Sequence, residues 1–112
     1  MTDQPLYHGH LTPHNIFVSV SQLNGMDVVR VKIDGFEYAE LKKYASTLQN
    51  YRTATVYSSP EVLKQPKKYL KPSRSMDVYS FGLVMWQLYH EKVPFDGNLV
   101  LCTECVLQDT RP

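Results

Sequence analysis

The chain has 112 residues, 43% of them hydrophobic, and sets 12 Lys and Arg against 11 Asp and Glu for a formal net charge of +1. That length allows one domain at most, with a reasonable core only if its elements close on themselves. The balanced charge gives no global field to draw nucleic acid or an anionic membrane. No apolar run approaches the roughly 20 residues of a membrane span. The start, Met1-Thr2-Asp3-Gln4-Pro5, is polar and lacks the apolar core of a signal peptide. Two cysteines build no disulfide framework and suit a reducing cytosol, so the expected location is cytoplasmic.

In chain order, Ile16 to Val20 and Val29 to Ile33 are short β-branched runs. In the second, Val29, Val31 and Ile33 fall on one face while Arg30 and Lys32 fall on the other. Asn24-Gly25 between the runs accepts positive φ, so the pair is predicted to form a hairpin with a slightly long loop. From Glu40 to Thr55 no period persists and a long loop is expected, a length that in a compact domain is usually functional or disordered. Ser59-Pro60 opens a short helix, with the Ser hydroxyl as its cap and Pro at the first helical position.

Gln65 to Arg74, with two prolines and four basic residues, reads as another loop. Its basic cluster, Lys67, Lys68, Lys71 and Arg74, is most simply a solvated run. Ser75 is then predicted to cap a helix running to about His90. Val78, Phe81, Met85 and Leu88 lie on one side of it, and Leu83, Val84 and Trp86 cover others. A helix apolar nearly all round is expected to be buried nearly all round, with Val78, Phe81, Met85 and Leu88 among the most buried residues. Pro94 prevents continuation, and Asn98 can cap a last helix through about Leu107. Trp86 and the tyrosines are expected in the core rather than as a ligand platform.

His8, His10, His14, Cys102 and Cys105 are zinc-type ligands, but their spacing lacks the two tight pairs of a structural site, and the cysteines sit in a predicted helix. Buried small apolar residues is the preferred reading of Cys102 and Cys105. No metal site is expected.

Four motifs in order carry a resemblance to the eukaryotic protein kinase catalytic domain. His8-Gly9-His10-Leu11-Thr12-Pro13-His14-Asn15-Ile16 resembles the catalytic loop H-R-D-L-K-P-x-N-I. Val31-Lys32-Ile33-Asp34-Gly35-Phe36-Glu37 resembles the magnesium loop, with Gly-Phe-Glu in place of Asp-Phe-Gly. Ser59-Pro60-Glu61 stands in the A-P-E slot that closes the activation segment. Ser75 to Leu88 resembles the central helix of the C-terminal lobe. Pro94-Phe95-Asp96-Gly97 and Arg111-Pro112 resemble the segments after that helix in tyrosine-kinase and tyrosine-kinase-like members.

The resemblance implies an α+β, mainly α fold over residues 1–112: a partial C-terminal lobe with one small β-hairpin and a central buried helix. The chain as it stands holds no Gly-rich loop, no V-A-I-K lysine and no partner glutamate, so the N-terminal lobe and the final helices are expected to be absent. The family transfers the γ-phosphoryl of ATP with carboxylates, magnesium and a lysine. Here Gly9 replaces the loop Arg that grips an activation-loop phosphate, leaving Tyr44, Ser46, Thr47, Tyr51, Thr53 and Thr55 without that reader.

The degenerate catalytic slots are His10, for the Asp that accepts the substrate proton, and Thr12, for the loop Lys. An imidazole can still act as a base, so the weightier loss is the metal carboxylate, replaced by Gly35. Asp34 is an unsuitable substitute because neighbouring side chains on a strand face opposite ways. Asn15 remains as a weak cofactor-binding position. His8 and Asp77 keep scaffold roles, and Glu61 is expected to be solvated, its usual arginine partner lying beyond the chain.

The expected function is therefore a pseudokinase-like piece that binds no Mg-ATP and acts through a protein partner, with self-association through exposed apolar surface. Two alternatives stand beside it. The chain is a portion of an active Ser/Thr or Tyr kinase, which would require a Gly-rich loop, a lysine and a metal carboxylate elsewhere. Or it is a fragment without function.

Overall fold

The structure, a computed structural model, describes residues 6–35, 54–65 and 70–112. Phe36 and Glu37 of the Gly-Phe-Glu motif, most of the loop from Glu40 to Thr55, and Lys67 and Lys68 lie outside the described residues.

Strands β1 (Ile16–Leu23) and β2 (Met26–Ile33) form a two-stranded antiparallel sheet, in register from Ile16 opposite Ile33 to Leu23 opposite Met26. The strands run longer than the sequence suggests because the connection is shorter. Asn24 at φ 54° and Gly25 at φ 79° make a two-residue turn. Positive φ at both central positions gives a twist that matches the strands and lets pairing continue to the turn.

Cross-strand partners share a face, so Ile16/Ile33, Val18/Val31 and Val20/Val29 build one uncharged β-branched ladder. The opposite face pairs Phe17 with Lys32 and Ser19 with Arg30. Val18, Val20, Val29 and Val31 are all exposed.

Helix α1 spans Pro60–Lys64, α2 Arg74–His90 and α3 Leu99–Leu107. The cap of α2 is Ser73, whose hydroxyl accepts from the Met76 N–H at 3.3 Å, two residues ahead of the predicted Ser75. The helix ends at Glu91 in a left-handed conformation, before Pro94, which is buried in a 3₁₀ turn over Pro94–Gly97. Asn98 caps α3, its side-chain oxygen accepting from the Leu101 N–H at 3.1 Å.

The core joins Val56, Tyr57, Leu63, Leu83, Val84, Cys102 and Val106, with Ile16, Ala54, Tyr79 and Phe95 packed partly against it. Helix α2 turns Met76, Ser80, Leu83 and Val84 inward. This overturns the expectation for its other side: Val78, Phe81, Met85 and Leu88 are 64%, 49%, 54% and 75% exposed. Both sets repeat at helical spacing, so periodicity cannot choose between them. The choice falls to the elements available, and α1, α3 and the turn at Val56–Tyr57 all pack on the first set. Trp86 is half-buried, stacked on His90 with ring centroids 4.4 Å apart, and Tyr89 is exposed. Only Tyr57 among the described tyrosines is a buried core residue.

Cys102 is fully buried, and burial pushes its thiol from an ordinary 9.0 up to about 11. The folded chain thus holds this proton more tightly than the unfolded chain does. Unfolding releases it above pH 9, so the contribution to stability is intact below pH 9 and lost as pH rises towards 11. The urea midpoint is expected to decline over that window in the native chain and to decline less in Cys102→Ala, where burial still raises the Tyr57 and Tyr79 hydroxyls. In a thiol-reagent assay at pH 8, the half-buried Cys105 reacts first, and Cys102 only on denaturation.

Candidate functional site

The site is built where the segment His8 to Asn15 passes between the first turn of α2 and the end of β2. Asp77, in that first turn, accepts the backbone N–H of His8 at 2.7 Å with one carboxylate oxygen and that of Gly9 at 2.8 Å with the other. A charged acceptor serving two backbone donors is among the stronger pairings a protein makes. It explains why an acidic residue sits in the opening turn of a helix, where the dipole also favours it.

His8 is 4% exposed and works through both ring nitrogens. Its Nε2 lies 2.6 Å from the carbonyl oxygen of Asp34 and its Nδ1 3.0 Å from the backbone nitrogen of His10. A carbonyl can only accept and an amide can only donate, so the proton is on Nε2. The single imidazole thereby ties the loop to the residue after β2.

Thr12 is buried, and its hydroxyl accepts from the His14 N–H at 3.2 Å, capping the 3₁₀ turn Pro13–Asn15. The residue in the family's lysine slot therefore serves local structure. The Asn15 amide donates to the His10 carbonyl at 2.8 Å. His10 is half-buried in the same loop.

The metal slots adjoin one another. Gly35 has φ 86°, and a Cβ placed on it would lie 2.7 Å from Asn15 Oδ1 and 3.1 Å from His8 Nε2. Glycine accepts that backbone freely and lets the Asn15 side chain close against the main chain. Asp34 continues the ladder, its N–H donating to the Asn15 carbonyl at 2.8 Å. Its carboxylate is exposed and accepts from the Gly35 N–H at 2.7 Å. His8, His10, Asn15, Asp34 and Gly35 thus come together, while Cys102 and Cys105 lie on α3. Among the described residues no three His, Cys, Asp or Glu side chains gather as a metal site.

A second set of contacts has no counterpart in the motifs. Ser80 Oγ donates to the Tyr57 carbonyl at 2.7 Å, and the Tyr57 hydroxyl donates to Gln87 Oε1. The Thr55 N–H donates to Ser58 Oγ at 2.9 Å. The first two bonds fasten the segment before Pro60 to α2, and the third folds that segment on itself. Their only sequence signal is a polar residue, Ser80, amid the apolar run of the helix. Glu61 is exposed at the start of α1.

The loop, the adjoining Asn15 and Gly35, and the Asp77 clamp define a protein-kinase type of site on a partial lobe. The family model described as the protein kinase domain matches residues 2–106, and the chain belongs to that family.

Among its relatives is a protein of Acanthamoeba polyphaga mimivirus named as a serine/threonine-protein kinase/receptor, 31% identical over 112 residues and covering 99% of this chain but 6% of that protein. The mixed lineage kinase domain-like protein of Mus musculus is 32% identical over 97 residues, covering 82% of this chain and 20% of its own length. The ankyrin repeat and protein kinase domain-containing protein 1 of Homo sapiens is 28% identical over 114 residues, covering 96% of this chain and 14% of its own. The chain therefore spans a small part of the relatives it matches. No solved structure matches it.

Proposed function

We propose that this kinase-family segment transfers no phosphoryl group, holds no Mg-ATP and works by binding another protein in the cytoplasm, and that it descends from the tyrosine-kinase-like branch. The observation that carries the reading is Gly35. The position that should present a metal carboxylate is a glycine in a left-handed conformation, closed against Asn15. Magnesium prefers oxygen ligands with carboxylates among them, and the single neutral amide oxygen of Asn15, whose nitrogen donates to the His10 carbonyl, is a poor replacement. His10 in the proton-acceptor slot supplies a base without the ion that would hold the phosphates for it. General-base assistance alone is worth about 10²–10⁴-fold, small against what metal and positioning contribute together.

The relatives named as serine/threonine kinases favour a second reading, in which the segment is one portion of an active kinase. A phosphotransfer assay with a generic protein substrate separates the two. Labelled phosphate incorporated by the chain is expected to stay at the level of a blank. Incorporation above the blank that is lost in His10→Ala would overturn the proposal.

A further inference from the structure

We infer that one water molecule is bound in the small pocket between the Ser-Pro-Glu segment and the loop of His8 to Leu11, with the Ser59 hydroxyl as its anchoring partner. The inference goes beyond the binding role proposed above and does not depend on it. Ser59 is 2% exposed, and its Oγ is buried with no hydrogen-bond partner among the described residues. It stands at the cap position of α1 yet makes no capping bond. A serine hydroxyl carries one donor and two acceptor sites, and a buried polar group left wholly unpaired is rare enough to require an account.

The pocket beside it supplies one. Its lining is mixed, with Thr55, Ser59 and Ser80 set beside Leu11, Val62 and Met76, and its volume is about 10 Å³. That sits at the threshold of roughly 10–15 Å³ needed for one water. Apolar cavities of this kind stay dry, whereas polar ones with two to four partners hold water. Ser80 Oγ spends its proton on the Tyr57 carbonyl, which leaves its lone pairs able to accept. Thr55 also lines the pocket, and its hydroxyl, which accepts from the Tyr57 N–H at 3.1 Å, keeps a further lone pair. A water there receives the Ser59 proton and donates to these oxygens, a bridge about as favourable as a direct hydrogen bond.

The test uses the full chain and Ser59→Ala, in which no capping bond is lost. The water predicts a drop in the unfolding midpoint of Ser59→Ala. It also predicts density for one solvent atom in a high-resolution crystal structure of the native chain, absent from the variant. A dry pocket leaves the Ser59 hydroxyl unsatisfied, so removing it would raise the midpoint. Either that rise, or a native pocket with no solvent density, overturns the inference.

Discussion

Asp77→Ala is expected to lower stability by about 3 kcal/mol, because two backbone donors lose a charged acceptor and each such bond is worth roughly 1.5–3 kcal/mol. Both donors, His8 N and Gly9 N, belong to residues that are themselves buried, so water replaces the carboxylate poorly. Natural domains hold a net stability of only about 5–15 kcal/mol, and the variant is expected to sit near the unfolding limit. Asp77→Asn keeps one carbonyl oxygen and should lose roughly half as much. Urea unfolding measures the total. Amide hydrogen exchange at His8 and Gly9 localises it, since those two amides should lose protection first. A loss below about 0.5 kcal/mol, the range of ordinary surface substitutions, would show that the clamp contributes nothing.

The second large effect concerns surface. Val78, Phe81, Met85 and Leu88 on α2, and Val18, Val20, Val29, Val31 and Ile33 of the hairpin, are exposed in the described structure. Ile33 joins the two regions: with Leu6, Leu11, Val78 and Phe81 it lines an open apolar groove of about 380 Å³. Fully burying one such side chain is worth about 1.5–3 kcal/mol, so leaving several exposed forfeits an amount comparable with the whole net stability. Contiguous apolar surface of this kind also marks sites of association. The purified chain is therefore expected to bind a hydrophobic dye, to self-associate as concentration rises, and to unfold over a broad transition. Dye-negative monomer with a single sharp transition would contradict this and show that the chain closes its own core.

Much of this architecture is legible in the residues, for reasons that differ by element. The hairpin is readable because Asn24-Gly25 and the alternation at Val29 to Ile33 are local signals, although its turn is tighter than expected. Asn98 and Pro60 mark their helices because capping and proline chemistry are also local. The His8–Asp77 link spans 69 positions and is legible only through the family resemblance, since no local pattern announces it. The burial of α2 runs against the expectation, as both of its sides carry helically spaced apolar residues and only tertiary packing selects one. At the site, the losses at His10, Thr12 and Gly35 can be read from residue type. The use of Thr12 as a cap and the closure of Asn15 on Gly35 require the backbone path.

Isothermal titration calorimetry of the full chain with ATP in excess magnesium tests the central claim most directly. The account predicts no saturable heat, because the slot that should present a metal carboxylate is Gly35 and Asn15 offers only one neutral amide oxygen. Saturable binding in the micromolar range that disappears in Asn15→Ala or Asp34→Ala would contradict it and return these residues to the role of metal ligands.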